Sequence, residues 1–225
     1  LFVGFESLNE TNLRAQHKLQ NLGGSRSGGS VGGGYDAAIR RLHDLGVMVN
    51  AAFVFGMDED GPDVFDRTVE WAVSRGIETA TFHILTPYPG TRLQRRLAAE
   101  GRVTTLDWDR YDTRHAVFRP RRMTATELEA GYWGAYRRFY SWSSIARSAW
   151  TGQDAREKVR HLAYTSGWKK LEPLWDLAIR TGQVHRFLPL LEAILERFGS
   201  GGGTMPRRLH GPSRTPGRDE VPTPG

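Results

Sequence analysis

The sequence has no cysteine. Disulfides, zinc–thiolate sites and thiolate-held iron–sulfur clusters are therefore excluded within this chain. A cysteine-free chain also fits a reducing compartment. No apolar run approaches the roughly 20 residues of a membrane span, and there is no signal-peptide pattern. The formal charge of +6 does not point to nucleic acid. Part of the excess lies after Phe198, where Arg207, Arg208, Arg214 and Arg218 outnumber Asp219 and Glu220 with no aromatic or helical pattern behind them. These absences leave a cytoplasmic protein acting on a small molecule, with neither nucleic acid nor a membrane span, as the expectation.

What is present suits a packed domain: 225 residues, 39% of them hydrophobic, enough for one sizeable core or slightly more. The chain opens inside an apolar "LFVGFES", which reads as the middle of a fold and so as a fragment. That stretch predicts a strand closed by Gly4 and Glu6-Ser7, and "LNETNLRAQHKLQ" a helix capped by Asn9 or Ser7. "YDAAIRRLHDLG" predicts a second helix on Ala38, Leu42 and Leu45, ended by Gly46. "VMVNAAFVF" and "TATFHILTP" read as buried strands. Each is followed by a helix, "PDVFDRTVEWAVSRG" and "TRLQRRLAAEG". Between the first two helices, Leu22 to Gly34 is glycine- and serine-rich and is expected to be neither helix nor strand.

The order β-α-β-α-β-α, with near-continuous apolar strands, predicts a parallel sheet covered by helices. In such folds ligands bind beyond the carboxyl ends of the strands. Here those ends are "GFESLN", "GMDEDG" and "TPYPGT". After Arg102 an irregular aromatic stretch leads to "TATELEAGYWGAYRRFYSWSSIARSAW", expected as one long helix with a Thr124/Glu127 capping box. Its Trp133, Tyr136, Tyr140 and Trp142 read as packing on the sheet. Three more helical stretches follow, the last with a Leu188, Leu191 and Leu195 stripe, and from Gly199 the composition is that of a disordered tail. The expected divisions are 1–102, 103–198 and 199–225.

The strand ends carry a resemblance. "GFESLNETNLRAQHKLQN" resembles the fourth strand and helix of radical S-adenosylmethionine enzymes, in the branch that also carries a cobalamin-binding domain. "AFVFGMDE" resembles the fifth-strand motif Gly-x-Ile-x-Gly-x-x-Glu, with Ala52 and Val54 in place of its first glycine and isoleucine, and Gly56 and Glu59 matching outright. "ILTPYPGTRL" is similar to the sixth strand and loop, and "DWDRYDTRHAVFRP" to the usual continuation. The likeness runs from about Leu1 to Ile145. It implies the C-terminal half of a partial (βα)6 barrel, with a helical accessory region and a disordered tail.

By the same resemblance the parent reaction is reductive cleavage of S-adenosylmethionine and radical modification of a small molecule, with cobalamin as a methyl carrier. Glu6 and Ser7 would face the cofactor's amino group or ribose, and Ala52, Val54 and Gly56 would form a flat wall for adenine. Glu59 would join that cofactor set, and Tyr88 would cover a substrate. The three cysteines that hold the family's [4Fe–4S] cluster precede the fourth strand and have no counterpart here. No catalytic residue or metal ligand is assigned.

Each of these residues also has a plainer reading. Ser7 or Asn9 caps a helix, Ala52, Val54 and Gly56 are strand core, and Glu59 accepts backbone amides. Tyr88 packs in a turn whose φ angles Pro87 and Pro89 fix and whose direction Gly90 reverses. His83 reads as a satisfied core residue. Asp58, Asp60 and Asp63 lack the distal glutamate of a calcium loop, and His115 with Asp112 and Asp109 is a weak metal pattern. Two rival functions remain: a βα-barrel lyase or hydrolase using Glu6 and Asp58 as acid and base, and an inactive truncated product or binding module.

Overall fold

The computed structural model describes residues 1–18, 21, 31–152 and 154–180; of residues 31–33 and 168–180 it describes only the backbone. Three strands, β1 (Phe2–Glu6), β2 (Asn50–Phe55) and β3 (Thr79–Ile84), form a parallel sheet in the order β1-β2-β3. Among the described residues seven α-helices accompany it: α1 (Glu10–Ala15), α2 (Val31–Asp44), α3 (Val64–Ser74), α4 (Arg92–Ala99), α5 (Ala125–Phe139), α6 (Trp142–Ala149) and α7 (Ala155–Arg180). The expected α/β alternation and parallel pairing are both present.

One face of the sheet carries the core. Phe53 stacks on Phe5 at 5.8 Å and on Phe82 at 5.9 Å, and Phe82 stacks on Phe55 at 5.5 Å. Period-2 alternation puts these rings on one side, and the register aligns Phe53 with Phe82 across β2 and β3. Helix α3 closes over them because Phe65, Thr68, Val69, Ala72 and Val73 recur on one stripe. Trp71 from α3 meets Phe5 and Phe53 edge-on. Helix α5 buries Leu128, Tyr132, Ala135 and Phe139 on the same layer. It approaches α3 so closely at Gly131 that a methyl group there would overlap the Phe65 ring.

Helix α5 also finishes the sheet. The Tyr140 hydroxyl donates to the Ala80 carbonyl at 2.9 Å and accepts from the Ala80 N–H at 3.1 Å. The Tyr136 hydroxyl likewise donates to the Phe82 carbonyl and accepts from the Phe82 N–H. A four-residue helical step covers about 6 Å and a two-residue strand step about 6.6 Å, so tyrosines at i and i+4 match alternate strand residues. The Ile84 N–H is taken by the Thr113 carbonyl at 2.7 Å.

Four expectations need correction. Helix α2 begins at Val31, so Val31 to Gly34 are helical; a glycine-rich segment starts a helix when Tyr35 and Ile39 behind it are buried. That helix turns Tyr35 and Ile39 inward, while Ala38 is exposed and Leu45 is 73% exposed. The expected single helix after Thr124 breaks at Tyr140: Ser141 caps a new helix by accepting the Ser144 N–H. The two stretches after it join as α7, which runs past Pro173 to Arg180. The Thr124/Glu127 capping box forms as expected. The Leu188 stripe, most of the glycine-rich run and the tail lie outside the described residues.

Candidate functional site

The opposite face of the sheet is built from small and polar residues. Gly4, Ala52 and Thr81 align as one cross-strand row, and Val54 aligns with His83 in the next row toward the strand ends. Gly4 is exposed and Val54, Thr81 and His83 are half-buried, whereas Phe5, Phe53, Phe55 and Phe82 on the other face are buried. None of the four residues Ala52, Val54, Thr81 and His83 joins the core cluster.

The end of β1 folds over this face. Its pairing shifts between Gly4 and Glu6, and Glu6 takes a left-handed φ of 66°. The bulge lays the Glu6 carboxylate over Gly4, where an added Cβ would lie 3.0 Å from Glu6 Oε1. Lys18 donates to that same oxygen at 3.2 Å. Ser7 turns inward instead: it is 5% exposed and its hydroxyl accepts from the Asn9 N–H. Asn9 is the cap of α1. Sequence placed Glu6 and Ser7 together, and the structure puts only Glu6 at the open face.

The "GMDEDG" turn is organised by a residue the sequence did not single out for this role. Asp60 is 2% exposed, and its Oδ2 accepts from the Gly56 and Met57 N–H groups at 3.0 and 2.9 Å. Its Oδ1 accepts from the Asn12 amide at 2.7 Å, and Asn12 in turn accepts from the Glu59 N–H. Burial outweighs these hydrogen bonds and pushes the Asp60 pKa up to about 6. The Gly56 and Met57 amides thus go to Asp60, while the Glu59 carboxylate pairs with Arg122 at the surface. The glycine at the strand end adopts φ 94°, and a Cβ on Gly56 would lie 2.7 Å from Leu128 and 3.3 Å from Phe118. Within this chain, then, Gly56 makes room for α5.

Asp58 stands among arginines. It pairs with Arg96 and with Arg102, and Arg121 lies 3.5 Å away. Partial burial works to raise its pKa, but Arg96 and Arg102 outweigh it and hold the carboxylate below the usual range. Tyr88 sits in the Pro87–Gly90 turn with its side chain 46% exposed.

The 112–115 loop reaches the open face at His83. The His83 Nδ1 lies 3.2 Å from the Thr113 hydroxyl. His115 pairs with Asp112, not Asp109. Among the described residues no group of three histidines, cysteines, aspartates or glutamates is arranged to hold a metal ion. No described helix is long and apolar enough to cross a membrane.

No family model matches the chain. Three proteins similar to it are enzymes by name. The bacteriochlorophyllide d C-12(1)-methyltransferase of Chlorobaculum tepidum is 32% identical over 149 residues, 64% of this chain and 29% of that protein. The anaerobic magnesium-protoporphyrin IX monomethyl ester cyclase of Cereibacter sphaeroides is 27% identical over 121 residues, 54% and 19% of the two chains. The hopanoid C-2 methylase of Rhodopseudomonas palustris is 28% identical over 103 residues, 46% and 18%. The chain therefore spans less than a third of each of these relatives.

Proposed function

We propose that this chain is the adenosyl-binding side of a radical S-adenosylmethionine enzyme that methylates, or otherwise modifies at carbon, an apolar small molecule. Its three βα units would be the C-terminal half of a partial (βα)6 barrel whose interior is the open face. The observation that carries the reading is the row Gly4, Ala52, Thr81 with Val54 beside it: a strip of small side chains outside the phenylalanine core cluster, with Ala52 buried at its centre, Gly4 exposed and a carboxylate at its edge. Such a strip fits the face of a purine, and Glu6 can accept from a cationic amino group in place of Lys18.

Two of the relatives are named a methyltransferase and a methylase, which supports methyl transfer as the reaction class; the third is named a cyclase, and the names point to tetrapyrroles and a hopanoid as what those proteins act on. When bound, S-adenosylmethionine supplies the adenosyl and sulfonium-methyl groups of such chemistry. A thiolate-held [4Fe–4S] cluster does not fit this chain, which offers no cysteine. Cobalamin, as methyl carrier, belongs to the same proposal with no residue here assigned to it. The acid–base barrel reading is weaker on this geometry. Its Asp58 is held charged by two arginines and is not poised near neutrality to exchange a proton.

Saturation-transfer NMR of the chain with S-adenosylmethionine tests the reading, because it detects even millimolar ligands. Adenine protons should receive saturation from the wild-type chain and lose it in Ala52→Trp, which fills the strip. Wild-type transfer that is absent, or equal in the two proteins, overturns it.

A further inference from the structure

His83 stands in the outermost described row of the open face, and the loop against it is built to fix its ring. Thr113 brings its hydroxyl to 3.2 Å from His83 Nδ1 while its carbonyl accepts from the Ile84 N–H at 2.7 Å. To do both, Thr113 adopts φ 66°, a left-handed conformation that a β-branched residue rarely takes. The turn is locked by Asp112, whose Oδ1 accepts from the N–H groups of Arg114 and His115. A strained threonine held at both neighbours is an expensive way to satisfy a core histidine. It is a direct way to set which ring nitrogen carries the proton.

The electrostatics set the charge of the ring, and Thr113 bears on the tautomer. Burial keeps the ring neutral by lowering its pKa; Glu6 works against that and Arg114 works with it. A neutral imidazole has one donor and one acceptor nitrogen. The Thr113 hydroxyl can donate to Nδ1, which leaves Nε2 protonated.

We propose that His83 is the uncharged hydrogen-bond donor of this face: Thr113 holds its Nδ1, and Nε2–H contacts an acceptor nitrogen or oxygen of the adenosyl ligand. Thr113 is then a positioning residue. The proposal rests on the adenosyl reading above, but its first test does not need a ligand. Nitrogen-15 NMR of the imidazole should show Nε2 protonated in the wild-type chain and a mixture of tautomers in Thr113→Val.

Titration with S-adenosylhomocysteine should then shift the His83 Nε2 resonance. His83→Phe should bind it about tenfold more weakly, the value of one lost hydrogen bond, and His83→Gln, whose amide N–H reaches a similar position, should recover most of the affinity. An Nδ1-protonated ring in the wild type overturns the proposal whatever binds. Equal affinity of wild type and His83→Phe overturns it while leaving the adenosyl reading intact. Failure of the wild type to bind S-adenosylhomocysteine or S-adenosylmethionine at all overturns both.

Discussion

The two faces of one three-stranded sheet follow opposite rules. On one, Phe5, Phe53, Phe55 and Phe82 stack and are sealed by α3 and α5. On the other, alternate residues of the same strands are Gly4, Ala52, Thr81 and His83, and none of them belongs to the core cluster. The same backbone therefore spends one set of side chains on stability and the other on access. On the proposed function the bland residues are the useful ones, because a ligand lies flat only where side chains are short.

The sharpest way to break that comparison is to truncate a residue on each face. Phe53→Ala should cost about 3–5 kcal/mol, the range for removing a fully buried ring. Its neighbour in the chain, Val54→Thr, half-buried on the open face, should cost about 1 kcal/mol or less. Urea unfolding of both checks it, and equal costs would mean that the open face is core as well. Next in size is Gly131→Ala in α5. The added methyl meets Phe65 and must push α5 from α3, so about 1–3 kcal/mol of destabilisation is expected despite the better helix propensity of alanine. A stabilised variant would show that the helices on the sealed face are loosely held.

The smallest effect sets the two ends of the sheet against each other through pH. Burial raises the Asp60 pKa from 3.8 to about 6 in the folded chain. The folded state then binds the extra proton, so this contribution to stability is full below about pH 4 and is lost as pH rises through about 6. His161 is 7% exposed in α7, and burial lowers its pKa despite the opposing charge of Glu78. Its contribution is full above about pH 6.5 and is lost as pH falls. Thermal melts at pH 7 and 5 should show wild type losing a few degrees or less relative to His161→Phe on acidification. No change in the difference between the two would place His161 in solvent.

Much of the scaffold was legible because it rests on local signals. The apolar runs "NAAFVF" and "TATFHI", the Gly46 and Gly76 stops and the Thr124/Glu127 box each predict an element that forms. What was hidden depends on partners distant in sequence. The break at Tyr140 rests on the Ser141 cap, a serine that reads equally well as helix interior, next to a Tyr140 hydroxyl held by Ala80, 60 residues earlier. Asp60 acts through Asn12, 48 residues away, and nothing local to Asn12 announces it. His83 read as core because alternation alone does not say which face of a strand is left open. Ala52 and Val54 fell on one face because the motif that singled them out has the period of a strand, and Glu6, from the separate β1 motif, joins it through the bulge after Gly4.

The tyrosine rungs of α5 have a consequence for self-association. They occupy the pairing groups of Ala80 and Phe82, so β3 offers another chain little to bond to. Among the described residues β1 is the other edge, and Phe2 on it is 62% exposed. A filament of sheets needs each copy to have two sticky edges; a copy with one can pair once and is then terminated. Among the described residues, pairing between sheets finds β3 blocked and β1 open: the helix that roofs the sheet also works as a chain stopper.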